Sequence, residues 1–267
     1  KLKLEHGFIN EGLIAVASGK GGVGKSTVTA NLAVALSNLD KKVGIIDADV
    51  HGFSIPRIIG LEEDVRVVDE KEIIPPKAKE VKVISMGSFV EENDPVVWRA
   101  PLLAGALEQF MKDVQWGELD YLLFDLPPGT GDMALNILQK LPHAESVIVT
   151  TPQVTAANVA GRIGKLAERM EASILGIVEN MSYYECPECG NKEHIFGRGG
   201  GEELAENLNT EFLGQLPLVT EIRESGDRGD TVVDNERLGQ AFLNIARNVI
   251  DNVSVFDPDK EPITLKQ

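Results

Sequence analysis

The 267 residues predict an α/β fold, a doubly wound and mostly parallel sheet covered by helices on both faces. Three observations predict it. Short runs rich in Val, Ile and Leu recur along the chain with little polar alternation, as strands buried on both faces require. Stretches with apolar residues at helical spacing separate those runs. The first run passes into the first helical stretch through a glycine-rich turn, Gly19–Gly24.

In chain order, the strands are expected at Leu13–Ala17, Val43–Ile46, Tyr121–Phe124, Ser146–Thr150 and Ile174–Val178. Helices are expected at Thr27–Leu39, Pro101–Val114 and Ala156–Met170, and over 234–253, where Leu238, Phe242, Ile245, Val249 and Val253 share one face. Such alternation gives right-handed crossovers. Residues 62–95 hold short extended pieces around Pro75-Pro76 and read as an excursion or small hairpin over one sheet edge. Residues 181–200 carry Cys-Pro-Glu-Cys-Gly and two tyrosines, and run into three consecutive glycines, Gly199–Gly201. A loop of that length inside a compact domain is more often functional than idle. With no linker, repeat or low-complexity block, residues 1–267 are expected to form one domain with a full core.

The composition is 43% hydrophobic and 25% charged, with a net charge of −16 from 42 acidic and 26 basic residues. That balance argues against a sequence-independent grip on nucleic acid and against docking on an anionic membrane. No apolar run approaches the roughly 20 residues that span a bilayer. Lys1–Asn10 contains no apolar core or cleavage site of a signal peptide. Cys186 and Cys189 are the only cysteines, so the chain is no disulfide scaffold, and the expected compartment is the cytoplasm.

Gly19-Lys20-Gly21-Gly22-Val23-Gly24-Lys25-Ser26-Thr27 fits the phosphate-binding pattern G-x-x-x-x-G-K-[ST]. Glycines let the backbone wrap around phosphates at a helix N-terminus. Lys25 would meet the β- and γ-phosphates of ATP, and the Ser26 hydroxyl would ligate Mg²⁺. Tyr121-Leu122-Leu123-Phe124-Asp125 is a Walker B pattern that places Asp125 near that metal. Asp47 and Asp49 close the second strand, at the sheet end where ligands bind in such folds. Leu126–Asp132, with two prolines and two glycines, suits a segment that senses the γ-phosphate.

Lys20 sets this loop apart from an ordinary P-loop. Lys-Gly-Gly-Val-Gly-Lys-Ser resembles the deviant Walker A motif of the MinD/ParA/nitrogenase-iron-protein class. The resemblance implies that Lys20 reaches across a homodimer interface to the partner's bound phosphates, acting like an arginine finger. It also implies that Asp49 orients the attacking water and Asp47 supports the metal shell, although the two could exchange these tasks.

Asp47–Gly60 (DADVHGFSIPRIIG), Asp125–Asp132, the Cys-Pro-Glu-Cys loop and Leu213–Gly229 (LGQLPLVTEIRESGDRG) together resemble the Mrp/ApbC family of iron–sulfur carrier ATPases, over roughly residues 13–235. The resemblance implies that Asn180 contacts the adenine and that the Pro217 loop covers the base. Residues 1–267 show neither the extra N-terminal domain of many bacterial members nor the N-terminal cysteine cluster of some eukaryotic ones.

Cys186 and Cys189 form a C-x-x-C pair, a turn that aims two thiolates at one point. A tetrahedral metal or an iron–sulfur cluster takes four such ligands, which a symmetric homodimer supplies. The family resemblance makes a bridging [4Fe–4S] cluster the leading ligand. Zn²⁺ satisfies the same thiolates, and a redox dithiol shares the spacing but normally sits at a helix start after an early strand. His194 reads as a loop histidine, and His6, His51 and His143 fit no ligand pattern.

The leading expectation is therefore a homodimeric ATPase that carries an iron–sulfur cluster to apo-proteins, with movements of residues 47–54 and 125–132 relaying nucleotide state to the cysteine loop. A MinD/ParA-like positioning ATPase is the alternative, although Val255–Gln267, with two prolines and mixed charge, is poor material for a membrane-binding helix. A small-molecule kinase or synthetase stays open because fold does not fix substrate.

Overall fold

The computed structural model describes residues 2–50, 52–68, 72–89, 100–129, 141, 143–153, 173–186 and 188–254. The expected helix Ala156–Met170, residues 130–132 of the glycine-flanked loop, His51, Pro187 and the segment Val255–Gln267 lie outside them.

Strand β1 (Leu2–Leu4) pairs antiparallel with the start of β2 (Gly7–Ser18). Helix α1 (Lys25–Ser37) follows, then β3 (Val43–Asp47) and the short helix α2 (Ile55–Ile59). Strands β4 (Arg66–Val68) and β5 (Glu72–Ile74) form a separate hairpin. Strands β6 (Lys77–Ala78) and β7 (Val81–Ser85) rejoin the main sheet, and α3 (Ala100–Asp113) leads into β8 (Gly117–Asp125). Strand β9 (Ala144–Thr150), β10 (Ile174–Glu179), the hairpin β11 (Tyr184–Glu185) and β12 (Lys192–Glu193), α4 (Gly200–Asn207), β13 (Glu211–Gln215), α5 (Thr220–Asp227) and α6 (Leu238–Asn252) complete the described chain.

The main sheet runs β13-β10-β9-β2-β8-β3-β7-β6, parallel throughout except for β6 at one edge and the attached β1. The chain builds outward from β2 to β7, returns to insert β8, then builds the other way through β9, β10 and β13. The strand order thus reverses beside β2, and the crevice beyond the carboxyl ends at such a point is where these sheets bind ligands. The loop after β2 is the glycine-rich turn.

Alternation along β2 divides the core. Leu13 and Ala15 join Leu103, Leu107 and Phe110 of α3 on one face, whereas Ile14 and Val16 join Val28 and Leu32 of α1 and Phe242 and Ile245 of α6 on the other. The helix over 234–253 starts later than its pattern, at Leu238, and four of its five predicted stripe residues are buried, Leu238, Phe242, Ile245 and Val249.

Three strands differ from expectation. Strand β2 begins at Gly7, ahead of the expected Leu13, and Asn10 and Glu11, at a register shift between Ile9 and Gly12, break the apolar pattern that would have marked its first half. Residues 62–95 do contain an off-sheet hairpin, β4–β5, but β7 is a parallel neighbour of β3 within the sheet itself. Lys82 masks that strand, and its amine donates to the carbonyls of Gln115 and Trp116. Strand β13 carries only Phe212 and Leu213 as large apolar residues, since it forms the far edge.

Candidate functional site

Strand β2 ends at Ser18 and α1 begins at Lys25, so Gly19–Gly24 form the turn between them. Gly22 and Gly24 adopt φ of 80° and 83°, a left-handed conformation that glycine reaches without steric cost. A Cβ on Gly24 would lie 2.3 Å from Asn180 Nδ2, so contact as well as conformation excludes a side chain there. The N-cap of α1 is Gly24, which has no side chain to cap it. The first-turn N–H groups of a helix are natural donors to an anion.

Opposite this turn the carboxyl ends of β3 and β8 lie side by side, with Asp47 in register with Asp125. Lys25 Nζ lies 2.7 Å from Asp125 Oδ2 and 3.3 Å from Asp49 Oδ2. The Ser26 hydroxyl donates to Asp125 Oδ2 at 2.6 Å, and Thr29 Oγ1 lies 2.7 Å from Asp125 Oδ1. Asp47 accepts from the Asp49 N–H at 3.2 Å and from the Ser85 hydroxyl at 3.1 Å. Asp47 and Asp125 are fully buried. Burial, and then the negative charge of Asp125, push the Asp47 carboxyl up to about 8; the Asp49 N–H, Ser85 and Lys25 pull the other way. Lys25, Ser26, Asp47, Asp49 and Asp125 therefore form one connected cluster of hard oxygen donors around one amine. The Ser26 and Asp125 oxygens are of the hard kind that suits Mg²⁺, which is held by one or two carboxylates and water and not by an all-protein cage.

Beside the cluster opens a cleft of about 600 Å³, lined by Gly24, Thr27, Asn180, Met181 and Pro217 among others. Asn180 Nδ2 donates to the Val23 carbonyl at 2.8 Å, tying the end of β10 to the glycine-rich turn. Lys20 points elsewhere within its own chain, with its Nζ 3.1 Å from Gln153 Oε1.

The cysteines sit on the β11–β12 hairpin. The Cys186 N–H donates to the Asn191 carbonyl at 3.0 Å and the Gly190 N–H to the Cys186 carbonyl at 2.8 Å, with Gly190 at φ 69°. Both thiols are free, Cys189 exposed and Cys186 partly so. Hydrogen bonds from the backbone of Cys189 and then of Glu188 lower the Cys186 thiol from its ordinary value, favouring the thiolate that binds metal. Among the described residues no group of three or more His, Cys, Asp and Glu side chains is arranged to hold a metal. His194 Nδ1 bonds the Ser182 carbonyl at 3.1 Å, an anchor for the loop.

Thr29, Ser85 and Gln153 escaped the sequence reading. Thr29 lies one helical turn beyond Lys25 on the face toward β8, a signal present in the spacing. Ser85 would have followed from reading Val81–Ser85 as a sheet strand ending beside Asp47. Gln153 has no pattern of its own.

A Gly-rich turn with two lysines, at the reversal point of a parallel sheet and facing strand-end aspartates, defines a P-loop NTPase of the deviant Walker A class. Residues 10–250 match the family model described as NUBPL iron-transfer P-loop NTPase (ParA), and the chain belongs to that family. It is 48% identical over 243 residues to an iron-sulfur cluster carrier protein of Bacillus subtilis, covering 91% of this chain and 69% of the relative. It is 49% identical over 241 residues to one from Mycobacterium leprae, covering 86% of this chain and 62% of the relative. A solved nucleotide-binding protein in complex with ADP from Archaeoglobus fulgidus superposes with a TM-score of 0.76 at 43% identity, covering 88% of this chain and 92% of that one.

Proposed function

We propose that this chain is an ATP-hydrolysing carrier that holds an iron–sulfur cluster as cargo between two copies of itself and passes it to apo-proteins in the cytoplasm. The observation that carries the reading is the pairing, in one chain, of the Lys25–Asp125 phosphate site with a cysteine hairpin whose backbone stabilises a thiolate. The names of the relatives support the cargo, and the ADP in the Archaeoglobus neighbour supports the nucleotide.

In this reading Gly19–Thr27 cradle the phosphates of ATP, with Asn180 and Pro217 against the base. Lys25 exchanges its two carboxylates for the β- and γ-phosphates, which frees Asp125 and Ser26 to hold Mg²⁺ with Asp47 behind them. Mg²⁺ would supply charge neutralisation on the triphosphate. Asp49 orients the attacking water, a role supported by its position at the rim of the cluster, 8% exposed. Lys20 leaves Gln153 to reach the phosphates of the partner subunit. Cys186 and Cys189 of each copy supply the four thiolates of a [4Fe–4S] cluster. Zn²⁺ occupies the same ligands in protein purified under air.

Anaerobic reconstitution followed by iron and sulfide analysis tests the cargo. The expected result is close to one four-iron cluster per dimer, lost in the Cys186→Ser/Cys189→Ser double variant. A wild-type chain that takes up no cluster, or a double variant that takes up an equal one, would falsify the carrier reading.

A further inference from the structure

The short turn between β10 and the cysteine hairpin is bonded to both sites at once. Glu179, the last residue of β10, is 2% exposed, and no ion pair to it occurs among the described residues. Its Oε2 accepts the Gly201 N–H at 2.6 Å, and its Oε1 accepts the Ser182 hydroxyl at 2.5 Å. The next residue, Asn180, holds the Val23 carbonyl of the phosphate turn and lines the nucleotide cleft. Met181, also in the cleft wall, adopts φ 56°, a left-handed conformation costly for a residue with a side chain. Ser182 is buried; its N–H donates to the Leu216 carbonyl at 2.9 Å, and its carbonyl takes the His194 ring. The Tyr183 carbonyl accepts the Leu218 N–H at 2.7 Å, and β11 begins one residue later.

A base or ribose entering the cleft meets Asn180 and Met181, and the backbone on their far side has little freedom to absorb a displacement. Ser182 is fastened at its N–H, hydroxyl and carbonyl, and the hydroxyl is fastened to a buried carboxylate that also holds the N-terminus of α4. We propose that Glu179 and Ser182 are positioning residues that carry the state of the nucleotide cleft to the cysteine hairpin. This rests on the reading of that hairpin as the cluster-binding element, and it routes the coupling through β10 instead of through residues 47–54 and 125–132. A carboxylate suits the position because both of its oxygens face donors. A glutamine there keeps one acceptor for the Gly201 N–H and turns its NH₂ group toward the Ser182 hydroxyl, which must then donate to Gln215 Oε1 instead and loses its bond to a charged acceptor.

Amide hydrogen exchange of residues 184–193, with and without saturating Mg-ADP or a slowly hydrolysed ATP analogue, tests the linkage in the full chain. In the wild type, nucleotide is expected to change exchange in the hairpin by about fivefold or more. Ser182→Ala, which removes one hydroxyl, is expected to bind nucleotide within about threefold of wild type by calorimetry and to reduce that change below about twofold. Glu179→Gln should reproduce the loss, and where it folds poorly Ser182→Ala carries the test. An unchanged hairpin in nucleotide-saturated wild type, or a wild-type response in Ser182→Ala, overturns the proposal. Iron and zinc are assayed on the same samples. A chain that binds neither metal yet shows the Ser182-dependent response loses the carrier reading and keeps the linkage.

Discussion

At the scale of single residues, the site holds one amine between two carboxylates. Lys25 is 5% exposed and touches two carboxylates, one of them fully buried. Removing one partner of such a pair strands the others, at about 3–5 kcal/mol. Lys25→Ala is therefore expected to lose stability by roughly that amount, beyond losing ATP binding, and Asp125→Asn in the same chain should restore part of it. Urea denaturation of the single and double variants checks this. Asp47 gives the pH dependence. Its carboxyl is raised from 3.8 to about 8 in the folded chain, so between those values the native state keeps a proton that the unfolded state has lost. The contribution is fully present below pH 3.8 and is lost as pH rises through about 8. The nucleotide-free, Mg²⁺-free protein should thus grow less stable from pH 5 to pH 8.5, with a slope from this group of at most about 1.4 kcal/mol per pH unit. Asp47→Asn should flatten that slope in denaturation curves taken across the range.

At the scale of elements, two helix ends meet through glycines. Gly60 ends α2 at φ 74°, and a Cβ there would lie 2.0 Å from the Gly229 carbonyl oxygen beyond the end of α5. Arg57 and Ile58 of α2 and Ile222 of α5 line the cleft, so separating these ends disturbs its wall. Gly60→Ala is expected to destabilise by at least about 2 kcal/mol, from left-handed strain plus backbone displacement. Gly105, exposed within α3 with no described residue near its Cβ position, is the contrast: Gly105→Ala should stabilise by about 0.5–1 kcal/mol in the same assay. These elements also show what the sequence made legible. Strands with a compact apolar run, such as Val43–Ile46 in β3 and Val147–Val149 within the expected Ser146–Thr150 of β9, announced themselves because both faces are buried. Strands β7 and β13 did not, because each lies toward a sheet edge where Lys82 or Glu211 is tolerated and breaks the run. The same division holds at the site. Lys25, Ser26 and Asp125 follow from spacing along the chain, and the structure brings them together. Gln153 bonds Lys20, Glu179 bonds the Gly201 N–H and Ser182 bonds the Leu216 carbonyl, all partners 20 or more residues away, and no local pattern encodes such pairs.

At the scale of the molecule, the question is whether a second chain completes the site. Lys20 bonds Gln153 in its own chain and lies outside the Lys25–Asp49–Asp125 ion pairs; in the proposed dimer it serves the partner's phosphates. Lys20→Ala should then bind ATP normally and lose up to about a thousandfold in hydrolysis. Loss alone does not say which subunit the lysine serves, but mixing does. A Lys20→Ala chain keeps a working Lys25, and a Lys25→Ala chain keeps a working Lys20. If Lys20 acts across the interface, a dimer with one of each has one complete site, built from the first chain's Lys25 and the second chain's Lys20. Random pairing of equal amounts should restore about a quarter of wild-type activity, because half the dimers are mixed and each has one live site. If Lys20 acts within its own chain, every site in the mixture lacks one lysine and activity stays at the level of the single variants. Two chains of charge −16 repel, so the mixture belongs at moderate salt, where screening leaves only a short-range penalty. Restored activity that rises with total protein concentration identifies the ATPase site as one shared between subunits.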